Sequence, residues 1–157
     1  PIMNVVSRSG CNTFRGSLFA NFANDSMQSD NMTLELRNAG LRVPNPLQKL
    51  WDSSVWVGGP IRRDRIWFFA NARHQGNRKL VAGMWRNQNA GDASKWTYEP
   101  DLTHQATEDG TWRNAGLRLT WQATPRNKIV AWWDEQDVCR LCLEDAGTTT
   151  RSPEAAS

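Results

Sequence analysis

The sequence predicts an all-β fold, an antiparallel up-and-down meander of about five strands that forms part of a larger transmembrane β-barrel, with long loops carrying short helices. Three observations predict it. Two tight polar joints, Arg62-Arg63-Asp64-Arg65 and Thr124-Pro125-Arg126-Asn127, are each flanked by runs rich in aromatic and β-branched residues, the signal of strand, turn, strand. The connections alternate in length, with the stretches Asp25 to Leu50 and Asn77 to Gly110 long and the two joints short. Each strand runs roughly 9 to 13 residues, against the ~9–11 that a tilted strand needs to cross a bilayer.

In chain order, Asn4 to Ser9 alternates weakly, and Ser9-Gly10-Cys11-Asn12 signals a turn. A strand follows from Phe14 to about Asn24, with Leu18, Ala20 and Phe22 on one side and Phe19, Asn21 and Ala23 on the other. Asp25 to Leu50 lacks strand alternation. Within it, Asp30 is expected to cap a short helix through Leu34-Glu35-Leu36-Arg37 that stops at Gly40. Asn45-Pro46 reads as the cap and first-turn proline of a second helix over Leu47 to Leu50.

The first hairpin comes next. Pro60 lacks an N–H and Gly58-Gly59 weakens the ladder, so its first strand is expected to end near Ile61. Past the turn, Ile66, Phe68, Ala70 and Ala72 share one face, while Trp67, Phe69, Asn71 and Arg73 share the other. That second face starts aromatic and turns polar, which a soluble sandwich strand has little reason to do. Asn77 to Gly110 is polar and turn-rich. Thr111 to Ala123 is the clearest strand: Ala115, Leu117, Leu119, Trp121 and Ala123 line up against Asn114, Gly116, Arg118, Thr120 and Gln122. Lys128 to about Gln136 is the return strand, and Asp137 onward reads as loop.

Composition narrows the class. The chain has 157 residues, 39% of them apolar and 22% charged, with a mean hydropathy of −0.66. Neither a helical membrane bundle nor a disordered tail has that balance. Nine Trp against one Tyr is the outlier, and Trp at that density suits membrane interfaces, carbohydrate platforms or a large aromatic core. A net charge of +3 is too mild to argue for nucleic acid, and Arg62-Arg63-Asp64-Arg65 reads as a solvated turn. No run of about 18 apolar residues is present, which excludes a spanning helix. The chain opens at Pro1 with no signal peptide to read, and with its Glu154-Ala155-Ala156-Ser157 end this suggests a piece of something longer.

The loop pattern decides between soluble and membrane readings. Outer-membrane barrels have short turns on one side, long loops on the other, strands apolar outside and polar inside, and aromatic girdles at both rims. Trp67, Phe68 and Phe69 lie just past one short turn and Trp121 just before the other, at what would be the same rim. Soluble meanders have loops of about 2–6 residues at both ends.

Three motifs carry a family resemblance. Residues 4–16, Asn4-Val-Val-Ser-Arg-Ser-Gly-Cys-Asn-Thr-Phe-Arg-Gly16, resemble the segment that ends the plug domain of TonB-dependent outer-membrane receptors and leads into the first barrel strand. Gly58-Gly-Pro-Ile-Arg-Arg-Asp-Arg-Ile-Trp-Phe-Phe69 is similar to that family's first hairpin, and Leu117 to Lys128 resembles its recurrent strand–turn unit. The nearest likeness is to large receptors with a carboxypeptidase-regulatory-like domain ahead of the plug. Cys11 stands where the family commonly has Gly and Arg15 where it has His; Cys11 is expected to strain a turn that wants positive φ.

The resemblance implies an internal fragment: residues 1–13 ending the plug and its turn, 14–136 the first barrel strands, and 137–157 the start of an extracellular loop. It implies residence in the bacterial outer membrane among its lipids and uptake of a scarce ligand such as a siderophore, cobalamin, oligosaccharide or peptide. Energy would come from the TonB–ExbB–ExbD complex through a plug segment outside this chain. It implies no cofactor and no enzyme.

Few single residues invite a role. Trp85, Trp96 and Tyr98, read as lying in the second long loop, are candidate ligand-facing aromatics, although loop packing is the plainer and preferred reading. Arg73, Arg118 and Asp134 are candidate lumen-facing residues, as any inward barrel face would supply. Cys139-Arg140-Leu141-Cys142 is a lone CxxC with only His74 and His104 as further soft ligands, short of the four a zinc site wants. A local loop disulfide between Cys139 and Cys142 is the simpler reading, leaving Cys11 unpaired. No catalytic constellation or nucleotide-binding glycine pattern appears, and the sequons Asn24-Asp25-Ser26 and Asn31-Met32-Thr33 are short enough to arise by chance. The rival reading is a soluble Trp-rich β domain that binds carbohydrate through stacked indoles. A nucleic-acid-binding barrel is a weaker third reading, since no basic stripe supports it.

Overall fold

The computed structural model describes residues 11–29, 32–40, 46–142 and 145–156. Five strands form one sheet: β1 (Arg15–Asn24), β2 (Leu47–Arg62), β3 (Ile66–Asn87), β4 (Pro100–Thr124) and β5 (Asn127–Arg140). Their order is β1-β2-β3-β4-β5, every neighbour in sequence being a neighbour in the sheet. That is the antiparallel meander the two hairpins predict, and nothing among the described residues pairs with the outer side of β1 to close the sheet. Helix is scarce: a 3-10 turn (Asp25–Met27), α1 (Leu34–Asn38) and α2 (Pro153–Ala156). Among the described residues no helix is long and apolar enough to cross a membrane, a fact about helices alone.

Several expectations are corrected. Leu47 to Leu50 is not a helix but the start of β2. Leu80 N–H donates to Pro46 O at 2.9 Å, and pairing with a long neighbouring strand outweighs the weak helical preference of four residues. Thr33 is the cap of α1, its hydroxyl accepting from Leu36 N–H at 3.3 Å; Asp30, expected there, and Asn45 lie outside the described residues, as do Asn4 to Ser9. Gly40 follows that helix with φ 96°, the left-handed stop that glycine supplies at no steric cost. The second long connection shrinks to residues 88–99, because β3 runs on to Asn87 and β4 starts at Pro100. β5 likewise continues to Arg140, past the Gln136 where its alternation fades.

The contacts fall into two compact units, one containing Asp52–His74 and Trp112–Asp137 with β1 up to Ala20, the other containing Asn21–Trp51, Gln75–Thr111 and the chain from Val138. In the first unit both turns work as read. Arg65 N–H closes on Arg62 O at 3.1 Å with Asp64 at φ 59°, and Asn127 N–H is held by Thr124 Oγ1 at 3.1 Å. Gln122 N–H donates to Arg65 O at 2.7 Å, so the two hairpins meet at one rim. Phe14 and Phe68 pack with centroids 6.2 Å apart directly over Gly59, where a side chain would take the space of the Phe14 ring. On the opposite face Trp56 stacks on Phe69 at 5.9 Å. Such pairs add about 0.5–1.5 kcal/mol beyond area burial.

The buried aliphatic side chains among the described residues lie in the second unit. Among the described residues the buried apolar side chains are Val81, Ala106 and Ala146, far too few for a soluble sandwich of this size.

Candidate functional site

The first unit carries a two-faced wall. Leu117, Leu119 and Trp121 are 40%, 39% and 48% exposed, whereas the intervening Thr120 is buried at 3%. Leu18, Val55, Val57, Ile61 and Ile129 are exposed too. Exposed apolar patches beyond a few hundred Å² mark a partner or a membrane, and here the apolar side chains recur on strand after strand.

The opposite face is aromatic next to the first tight turn, where Trp56 stacks on Phe69, and farther from the turn it is polar and knitted. Asn71 Nδ2 donates to Asn114 Oδ1 at 2.8 Å, and Asn114 Nδ2 donates to Asp134 Oδ2 at 3.2 Å, a chain across β3, β4 and β5. Gln136 Nε2 adds a bond to Asp134 Oδ1 at 3.1 Å. Arg73 belongs to a separate grouping: its guanidinium holds Asp52 with two bonds, Nε to Oδ1 at 3.0 Å and Nη2 to Oδ2 at 2.7 Å, the fork geometry that suits a carboxylate. Arg118, half-buried, shares its strand face with Asn114 and Gly116 by alternation.

Asn12 is a residue the sequence reading missed. Its side chain binds the first tight turn three ways: Nδ2 donates to Asp64 Oδ1, and Oδ1 accepts from Asp64 N–H at 3.0 Å and Trp67 Nε1–H at 2.8 Å. The only prior signal was its place in a turn-prone segment. Its neighbour Cys11 is not strained as expected, since non-glycine positive φ among the described residues occurs at Asp64, Leu141 and Asp145.

In the second unit the three candidate aromatics part company. Trp85 is not in a loop but on β3. The Tyr98 hydroxyl accepts from Trp85 N–H at 3.1 Å and donates to Trp85 O at 2.9 Å, bracing the strand end. Trp96 is 92% exposed and lines a shallow hollow with Asn89, Gly91, Asp92, Ala93 and Lys95. Asp92 there sits below its ordinary range because the Ser94 hydroxyl, then the Ser94 N–H, bond its carboxylate. Lys49 Nζ lies 5.9 Å from the Phe22 ring and 5.3 Å from that of Trp51.

At the far end of β4 the Asp101 carboxylate is drawn down to about 2, first by the Thr103 hydroxyl, then by His104 and the Thr103 N–H. His104 Nδ1 and Asp101 Oδ2 are 2.7 Å apart. Among the described residues no group of three or more His, Cys, Asp or Glu is placed to hold a metal.

The chain after β5 turns back onto the sheet. Cys139 and Cys142 sit with Cα atoms 6.0 Å apart and their sulfurs within bonding distance. Leu141 N–H donates to Asp109 O at 3.1 Å and Cys142 N–H to Asp109 Oδ2 at 3.2 Å. Ala146 then pairs with Thr107 as a parallel bridge, sealed by Thr107 N–H to Asp145 O at 2.8 Å and Gly147 N–H to Thr107 O at 2.7 Å. Beyond it Glu154 accepts from Asn87 N–H at 2.6 Å and, with Asp145, lies 3.8 Å from the Arg86 guanidinium. This strap runs close over Ala106 at Gly147, and polar residues 137 onward gave no pattern from which to foresee it.

The comparisons agree with the wall. A family described as "Outer membrane beta barrel domain" matches residues 6–136. Over 86 residues the chain is 36% identical to a protein named TonB-dependent transporter Oar from Myxococcus xanthus, a stretch covering 52% of this chain and 8% of that relative. The chain thus spans only a small part of the length of the curated relative it matches. No solved structure matches it. With a match over most of its length, the chain belongs to the outer membrane beta barrel domain family, and its place is the bacterial outer membrane.

Proposed function

We propose that this chain supplies wall, turns and part of the outer mouth of a TonB-dependent transporter that takes up a scarce ligand. The observation that carries the reading is the pair of opposed faces: exposed Leu117, Leu119 and Trp121 on one, and the Asn71–Asn114–Asp134 chain on the other. Lipid-facing and lumen-facing residues alternate in this way along barrel strands. On this reading Arg73, Arg118 and Asp134 face the lumen, residues 1–13 lead from a plug into β1, and the strap after Cys139 is the first part of an extracellular loop. The likeness to a protein named as a TonB-dependent transporter supports energisation by the TonB–ExbB–ExbD complex. A sheet with open edges cannot stand alone in a membrane, so further strands complete the barrel.

The test is genetic. A strain lacking the full protein, a strain lacking TonB and a strain lacking both are grown with iron, cobalamin, oligosaccharide or peptide limiting in turn. One limitation should expose the same defect in all three strains. A defect that adds on top of the TonB deletion overturns the reading.

A further inference from the structure

In the first unit, the wall contains a recess of about 510 Å³ lined by Leu18, Ser53, Val55, Ala72, His74 and Arg113, with Ser54 and Arg73 of the other strand face also at its border. The register sets its order. Gln122 N–H on β4 donates to Arg65 O, just ahead of β3, and a side chain at Gly116 would meet Asn71, which places His74 opposite Arg113. Ser53 Oγ donates to His74 O at 3.2 Å, placing Ser53 on the other side of His74. Below this rung the same face is apolar: Val55, Ala72 and Ala115, then Val57, Ala70 and Leu117, then Phe68 and Leu119, then Ile61, Ile66 and Trp121. Small side chains at Ala72 and Ala115 recess the wall beneath the basic pair.

From Ile66 to His74 the strand rises about 20 Å along the barrel axis at the usual pitch and tilt, close to the far border of a ~25 Å apolar band. Arg113 is exposed and makes no ion pair among the described residues. An arginine pointing outward at that height is unfavourable unless its head finds phosphate, and its stem can lie on the apolar wall.

We infer that the Ser53–His74–Arg113 rung and the recess beneath it bind a phosphate-bearing lipid of the outer leaflet, with the phosphate on Arg113 and His74 and an acyl chain along Leu18, Val55 and Ala72. The inference rests on the membrane-wall reading. The occupant follows from charge and position: the cation sits at one end of an apolar groove that opens outward at the depth of a headgroup.

The full-length protein carrying this chain, purified in non-ionic detergent, is titrated with bis-phosphorylated lipid A, with its dephosphorylated form, and with inorganic phosphate, and bound species are counted by native mass spectrometry. Arg113→Gln should weaken lipid A binding about fivefold, the contribution of one basic residue near an anionic surface, and Arg113→Lys should keep most of it. Arg126→Gln, at the tight turn, should change nothing. Heat-modifiable migration on gels verifies that each variant folds. Equal binding of the dephosphorylated lipid, displacement by millimolar phosphate, or a folded Arg113→Gln protein that keeps its lipid overturns the inference. A wild-type protein that never enters membranes would sink the wall reading as well, which separates the two failures.

Discussion

Arg73 and Asp52 grip each other across β3 and β2 through two parallel hydrogen bonds of 3.0 and 2.7 Å. The pair is open to solvent, so its worth lies in register and orientation more than in stability. Asp52→Asn and Arg73→Gln should each lower the thermal midpoint of the barrel slightly, and the double variant should fall no further than the worse single. A double variant showing the full sum of both losses would mean that the two side chains act separately.

Asp101 gives a pH prediction with a definite sign. Its carboxyl is lowered from the usual 3.8 to about 2 by the Thr103 hydroxyl, His104 and the Thr103 N–H. A depressed folded value means that the contribution is present above the unfolded value and is lost as pH falls from roughly 4 toward 2. Thr103→Ala should raise the Asp101 midpoint in a carboxyl-detected NMR titration. No movement on that substitution would show that the Thr103 hydroxyl is not the main cause.

Tyr98 and Trp96 should behave oppositely despite lying two positions apart. Tyr98→Phe removes the one hydroxyl that both accepts from and donates to the Trp85 backbone, costing about 1–2 kcal/mol locally, or roughly tenfold faster amide exchange around residues 88–99. Trp96→Ala should leave exchange unchanged, since its ring is almost wholly exposed. Equal effects would mean that the loop is held by general packing.

How much was readable beforehand depends on where each residue sits. Between Ala115 and Ala123 one face meets apolar surroundings and the other polar ones, and between Ile66 and Arg73 the second face turns polar past Trp67 and Phe69, so alternation survives in the sequence and the hairpins were legible. Farther from the turns, Gln75, Asn77 and Lys79 on one side of β3 and His74, Arg78 and Leu80 on the other show no such contrast. The strands there are held by backbone pairing, which leaves no mark on composition, and they read as loop. Leu47 to Leu50 went wrong for a related reason: an Asn-Pro start imitates a helix cap, and only the partner strand reveals the ladder. Asn12 and the Thr107–Ala146 bridge depend on contacts distant in sequence and were invisible.

The strap after β5 should respond to redox state. Cys139 and Cys142 flank the turn whose N–H groups bond Asp109, and a disulfide there would hold the strap's entry point. Replacing both with Ser should speed tryptic cleavage at Arg151 roughly 3- to 10-fold by raising local opening, with the barrel midpoint unchanged. Free-thiol labelling of the unreduced native protein should mark Cys11 alone. Labelling of all three cysteines would show that no bond forms.

The wall itself makes the sharpest demand on substitution. Leu119 lies on the apolar face about midway between the tight turn and the basic rung at His74 and Arg113, where an arginine has neither water nor headgroup within easy reach. Leu119→Arg should therefore cost about 2–4 kcal/mol of barrel stability in lipid, the range for basic residues at the bilayer midplane. Gln136→Arg, on the polar face beside Asp134, should cost little, because water and a carboxylate await it. The comparison is read from urea unfolding of both variants in phosphatidylcholine vesicles, followed by Trp fluorescence. If Leu119→Arg proved as harmless as Gln136→Arg, the leucine would be facing water, and exposure of the whole Leu117–Trp121 face would have to be explained by a protein partner instead of a bilayer.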